Sequence, residues 1–294
     1  MCSRCVRRAF LFGNDMTTGK DFSHRRDWIE NRILELSDIF TVSVYAYAIM
    51  NNHYHIVLKM DSVKLTDEEI AERWLKLCPG RKVYTHASDI KLVRKAALLN
   101  DESRLEEIRA RLGSLSWFMR FINEPLARIA NKEDCCKGRF WEGRFQSQAL
   151  LDEASVLACM VYVDLNPVRA KIAEDIQDSD FTSIQHRCQN QNEQEPLGAI
   201  NKSTSKTRPF SKTLLCEYIN LIRWTAVRQS HMRQSIQYDV SRSLKINHTN
   251  MIHWFADHMP LPNTWQRAMG SGEALSEYAK SINQCWIRRR SLQA

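Results

Sequence analysis

No apolar run in the 294-residue sequence approaches the roughly 18 to 20 residues that a bilayer span requires, which excludes a helical membrane protein. Behind the charges of Met1 to Arg8 there is no apolar stretch of the kind a secretion signal carries, so a cytoplasmic protein is the expectation. A second cysteine pair is also missing. Cys2 and Cys5 form a lone C-x-x-C, Cys135 and Cys136 are adjacent, and nine cysteines is an odd number. Without partners at metal spacing these residues read as reduced thiols and not as a disulfide framework or a structural zinc site. No internal repeat is found. What is present, 44% hydrophobic residues, 26% charged, 9% aromatic and a mean hydropathy of -0.44, is the composition of a globular chain that buries a core, as one large unit or two smaller ones.

The net charge of +8 is unevenly placed. Residues 201–294 carry 14 Lys and Arg against 5 Asp and Glu, which leaves 28 against 29 for residues 1–200. A basic final third suits a polyanion such as nucleic acid, and it equally suits a surface that charge keeps soluble.

Periodicity gives the organisation. Asp21 to Leu36 has the spacing of an amphipathic helix, with Trp28, Ile29, Ile33 and Leu36 on one face. Phe40 to Met50 and Tyr54 to Leu58 are rich in β-branched and aromatic residues and flank Asn51-Asn52, the pattern of a β-hairpin. Cys5 to Phe12 reads as a further strand that begins abruptly and is expected to lack its first half. Thr66 and Glu69 form a capping-box pattern before a helix that Pro79-Gly80 ends. Asp89 to Leu99, Glu102 to Leu112 and Ser114 to Ala130 are helical, and 61–112 looks like an insertion. Phe140 to Leu151 alternates toward a strand, and Asp152 to Leu165 is a helix stopped at Asn166-Pro167. Residues 188–212 have the composition of a polar linker between a unit at 1–187 and a basic helical domain at 213–294, with helices expected over Leu214 to Trp224, Ile252 to Met259 and Glu273 to Arg289.

Two patterns carry chemistry. His53 and His55 stand two apart in a predicted strand, so both imidazoles point to one face, where they can bind one divalent ion or simply pack. Tyr162 and Asn166, four apart, share one side of a helix, although a helical tyrosine is often a core residue and Asn-Pro is first a helix stop. Arg139, Arg144 and Arg169, with Trp141 beside Phe140, lie next to these motifs. They can hold phosphates and stack on a base, or pair with Glu142 and Asp164 and fill the core. Farther on, Arg223, Arg228, Arg233 and Arg242 are interleaved with Trp224 and Tyr238, and the chain closes on Arg288 to Arg290, a second nucleic-acid surface or a solvated helix end.

NNHYHIVL followed by Y-x-x-x-N-P-V-R-A resembles the single-tyrosine HUH transposases, and most closely the REP-associated tyrosine transposases. SRCVRRAFLF, YAYAIMNNHYHIVL, GRFWEGRFQSQALL and YVDLNPVRAKI fall in that family's order, so the resemblance spans about residues 3 to 186. It implies an α+β fold with a ferredoxin-like antiparallel sheet, the H-x-H on a central strand and packed helices, followed by the helical C-terminal domain. It also implies a metal-dependent endonuclease and strand transferase that cleaves and rejoins single-stranded DNA at hairpins or palindromic repeats during transposition. Tyr162 would be the nucleophile, keeping the 5' phosphate while the 3' hydroxyl leaves. His53, His55 and Asn166 would hold Mg or Mn, which suits mixed nitrogen and oxygen donors. The sequence is compatible with a monomer or a homodimer. A late N-terminus and the 61–112 segment depart from the compact family pattern, so the competing expectation is an inactive, domesticated DNA-binding protein descended from such an enzyme.

Overall fold

A computed structural model describes residues 1–5, 13, 19, 21–62, 64–80, 87–201, 210, 213–230 and 267–287. The fold is α+β. Strands β1 (Cys2–Arg4), β2 (Val42–Ile49) and β3 (His53–Met60) form an antiparallel sheet in the order β1–β3–β2, with α1 (His24–Ile39) crossing between β1 and β2. The expected hairpin is therefore present and its second strand is the central one. In place of a strand over Cys5 to Phe12 the first strand is Cys2–Arg4; Cys5 makes one bridge to Trp141, and residues 6–12 lie outside the described residues.

Strand alternation decides what each face buries. Val44, Tyr47, Ile49, Tyr54 and Ile56 join a core with α1, α2 (Asp67–Leu77), α4 (Glu102–Leu112) and α5 (Leu115–Glu133), while α3 (Ala87–Leu99) flanks α2 and α4. Tyr45, Ala46, Ala48 and Val57 join a second core with α6 (Glu153–Asp164), α8 (Ser183–Asn190) and α9 (Leu215–Ser230). A register shift between Val44 and Ala46 puts Tyr45 and Ala46 on the same side. Helices thus cover both faces of the sheet. On the first face Arg25, buried on α1, donates from Nε to Glu133 and from Nη2 to Asp134, both at 2.8 Å, which ties α1 to the end of α5. The capping box read at Thr66 forms as expected, with the Thr66 N–H donating to Glu69 Oε2 at 2.8 Å and the Glu69 N–H to Thr66 Oγ1 at 3.3 Å.

Phe140 to Leu151 is not a continuous strand. Glu142 N donates to Arg4 O, and Cys2 and Gln146 exchange both backbone bonds, each at 2.9 Å, so the segment runs antiparallel along the outer edge of β1. Between those contacts three residues, Gly143 to Phe145, stand against the single Ser3, and this surplus pushes Arg144 off the sheet edge. Only β4 (Ala149–Leu150) is strand, and its partner is β5 (Ala268–Met269), in parallel.

At the far end of α6, Asn166 and Pro167 do stop the helix, but the chain makes a further turn, α7 (Asn166–Arg169). Within the polar segment, Ile200 N donates to Val44 O at 2.7 Å and the Asn201 amide bonds to Val44 N and Val42 O, so residues approaching 201 lie along β2. The last described helix, α10 (Gly272–Ser281), ends before the expected Arg289 because Asn283 turns to φ 54, the left-handed conformation that closes helices; Arg288 to Arg290 and the helix expected at Ile252 to Met259 lie outside the described residues.

Candidate active site

β3 sends Tyr54 into the first core, where its hydroxyl donates to Asn123 Oδ1 at 2.7 Å, and so turns His53 and His55 to the face that α6 covers. The two imidazole centroids are 4.9 Å apart. The neighbouring Asn52 orients the first ring: His53 Nδ1–H donates to Asn52 Oδ1 at 2.6 Å, which leaves the Nε2 lone pair available. Burial pushes the His53 pKa down to about 4, with Arg4 adding to the effect. Burial, then His53, the chain's amino end and Arg4, hold His55 well below the ordinary histidine value. Both rings are accordingly neutral near pH 7 and able to act as ligands.

α6 begins at Asp152, whose Oδ1 accepts from Ser155 N at 2.8 Å, and three turns later presents Tyr162 to His55, with ring centroids 6.1 Å apart and planes at 86°. The Arg169 guanidinium lies 4.8 Å from the Tyr162 ring centroid. Burial holds the phenol above its ordinary 10, and Arg169 pulls it back toward the ionised form. Asn166, one turn on, has a buried amide nitrogen without a partner among the described residues. Because an amide can be turned over, the same position can present Oδ1. Two neutral imidazoles and an unpaired buried amide fit a divalent cation that accepts nitrogen and oxygen donors. Among the described residues no three His, Cys, Asp and Glu side chains are grouped to hold a metal.

His53, His55, Tyr162 and Asn166 all line one cavity of about 1570 Å³, together with Arg4 and Arg144. The other flagged residues stand elsewhere. Trp141 packs edge-on against Tyr54 at 5.8 Å and donates its indole N–H to Asn123 O at 2.8 Å, so it supports β3 from the core side. Arg139 is exposed and outside the cavity lining.

Sequence reasoning gave no role in the site to Asn52 or Arg4 and offered Asp164 only as a partner for an arginine. Asn52 was legible in principle, as the polar neighbour of an H-x-H. Arg4 arrives through the pairing of β1 with β3, where it faces His53. Asp164, fully buried behind the site, accepts from Ile184 N at 3.2 Å, from the Ser183 hydroxyl, and from the Tyr218 hydroxyl at 2.5 Å. Burial raises its carboxyl to about 6 against these bonds, and it joins the end of α6 to α8 and α9. No protein-family model, curated protein or solved structure matches the chain. Among the described residues no helix is long and apolar enough to cross a membrane.

Proposed function

We propose that the protein is a single-tyrosine HUH strand transferase that cleaves and rejoins single-stranded DNA through a phosphotyrosine. The observation that carries the reading is the convergence of His53, His55, Tyr162 and Asn166, from a strand and a helix about a hundred residues apart, on one cavity with His55 against the Tyr162 ring. The topology supports it as well. A strand, a helix and a hairpin in the order β1–β3–β2, with the segment from Trp141 to Gln146 bridged to the free edge of β1 and α6 laid on the opposite face from α1, agree with the ferredoxin-like sheet expected of that family.

His53, His55 and Asn166 would hold Mg or Mn, which when bound supplies charge neutralisation at the scissile phosphate and at the leaving oxygen. Tyr162 Oη attacks phosphorus and gives up its proton to solvent, the bond from phosphorus to the 3' oxygen breaks, that oxygen takes up a proton and leaves as a hydroxyl, and the 5' phosphate stays on the tyrosine. Burial keeps the phenol protonated at rest, so its proton departs as the new bond forms, and the Arg169 cation over the ring favours the charge that develops. Attack by a 3' hydroxyl reverses the step and rejoins the strand without ATP.

Labelled single-stranded oligonucleotides bearing hairpins, incubated with the protein and Mn or Mg, should give a band of protein linked to DNA on a denaturing gel. Tyr162→Phe should abolish it and still bind. Equal bands from both proteins would refute the catalytic reading, and binding by both with no band from either would favour the inactive DNA-binding alternative.

A further inference from the structure

The cavity does not end at the histidines and the tyrosine. It continues along the start of α6, past Gln148 and Leu151, to Arg267 and Tyr278 of the basic final third. That wall is fixed by backbone. Ala149 N donates to Arg267 O at 3.0 Å and Leu151 N to Met269 O at 2.9 Å. Gly270 passes so close that a Cβ there would meet Leu151 Cβ at 2.9 Å and Asp152 Oδ2 at 3.2 Å, so only glycine fits. The next residue, Ser271, donates its N–H to Asp152 Oδ2 at 2.6 Å, while the other oxygen of that carboxylate caps α6. One carboxylate thus binds the C-terminal segment to the first turn of the helix that carries Tyr162, about 15 Å along the helix from it. That separation accommodates several nucleotides.

Basic side chains outnumber acidic ones in the lining, with Arg4, Lys59, Arg144 and Arg267 against Glu142, Asp152 and Glu153. Arg4, Arg144 and Arg267 are exposed, line the cavity, and have no ion-pair partner among the described residues. The lining has three acids: Asp152 accepts from Ser155 N and Ser271 N, Glu153 accepts from Phe210 N at 2.6 Å, and Glu142, two residues from Arg144, is exposed. Tyr278, half-buried on α10, adds an aromatic face. Unpaired guanidinium groups strung along a groove with an aromatic ring at one end are the chemistry that tracks a single-stranded backbone and stacks one of its bases. We propose that Arg267 and Tyr278, with Arg144 and Arg4, form a subsite for the single strand that leads to Tyr162, so that the C-terminal segment is one wall of the DNA groove. The subsite rests on the single-strand reading above and assigns a task to a part of the chain that the histidine and tyrosine motifs leave without one.

The test uses the full chain carrying Tyr162→Phe, so that no cleavage intervenes, and a dye-labelled oligothymidylate of about 20 nucleotides read by anisotropy across a salt series. Arg267→Ala should weaken binding and reduce the slope of log affinity against log salt by about 0.7, the loss of one phosphate contact. Arg267→Lys should restore the slope. Tyr278→Ala should weaken binding about fivefold or more with the slope unchanged, since stacking releases no counterion. An Arg267→Ala protein with unaltered affinity and slope overturns the subsite even if the Tyr162 adduct forms with wild type. The converse pair, no adduct from wild type but a reduced slope for Arg267→Ala, removes the catalytic reading and leaves the subsite standing.

Discussion

His53 is held by a residue that does no chemistry itself. Asn52 Oδ1 accepts the Nδ1 proton at 2.6 Å, fixing both the tautomer and the ring plane. Asn52→Ala should therefore weaken Mn binding by about 10 to 100-fold in titration calorimetry while leaving the fold intact, the range seen when such outer partners are removed. Equal Mn affinity in both proteins would remove Asn52 from the site. At this scale the sequence was informative where spacing is local: a period of two aligns His53 with His55, and a spacing of four aligns Tyr162 with Asn166. It was uninformative about Trp141, whose packing against Tyr54 depends on where β1 and the broken strand lie, and about Arg267, whose place depends on a strand pairing across more than a hundred residues.

Elements are joined across the sheet by a few polar contacts within apolar cores. Glu30 on α1 accepts from the Tyr47 hydroxyl of β2 at 2.7 Å, and burial, outweighing that bond, holds its carboxyl above the ordinary 4.5. The folded state then keeps a proton that the unfolded state has released. The stability contributed by that linkage is full below the unfolded value and is lost as the pH rises through the raised folded value. Urea unfolding of wild type and of Glu30→Gln should show wild type losing stability relative to the variant as the pH rises past the ordinary 4.5 and through the raised folded value, and parallel profiles would contradict this. Helices were the most legible elements, since caps such as Thr66 and Asp152 and apolar faces such as Ile29, Ile33 and Leu36 are local signals. The stretch from Phe140 to Leu151 misled because its alternation is that of an edge strand, whereas the surplus at Gly143 to Phe145 breaks the ladder and only the partner strand reveals it.

Across the whole molecule, the described part of the basic third is built onto α6 by packing. Leu215, Tyr218, Ile219 and Ile222 of α9 share a core with Leu157 and Val161 of α6, and Tyr218 donates to the buried Asp164. Ile222→Ala and Leu157→Ala should each lower stability by about 2 to 5 kcal/mol and move the same unfolding transition. Separate transitions for the two would show that α9 unfolds independently. Composition identified where the charge lies, but a polar stretch at 188–212 says nothing about whether the helix beyond it packs on the one before, which depends on residues distant in sequence.

The most direct measurement of the central claim is the position and polarity of the covalent link. After reaction of the wild-type protein with a hairpin oligonucleotide and Mn, tryptic peptides are sequenced by mass spectrometry. The account predicts one modified residue, Tyr162, joined through a 5' phosphate to the 3' portion of the strand, with the other fragment released bearing a free 3' hydroxyl. A link at any other residue, a 3' phosphate on the tyrosine, or cleavage with no covalent peptide would contradict it.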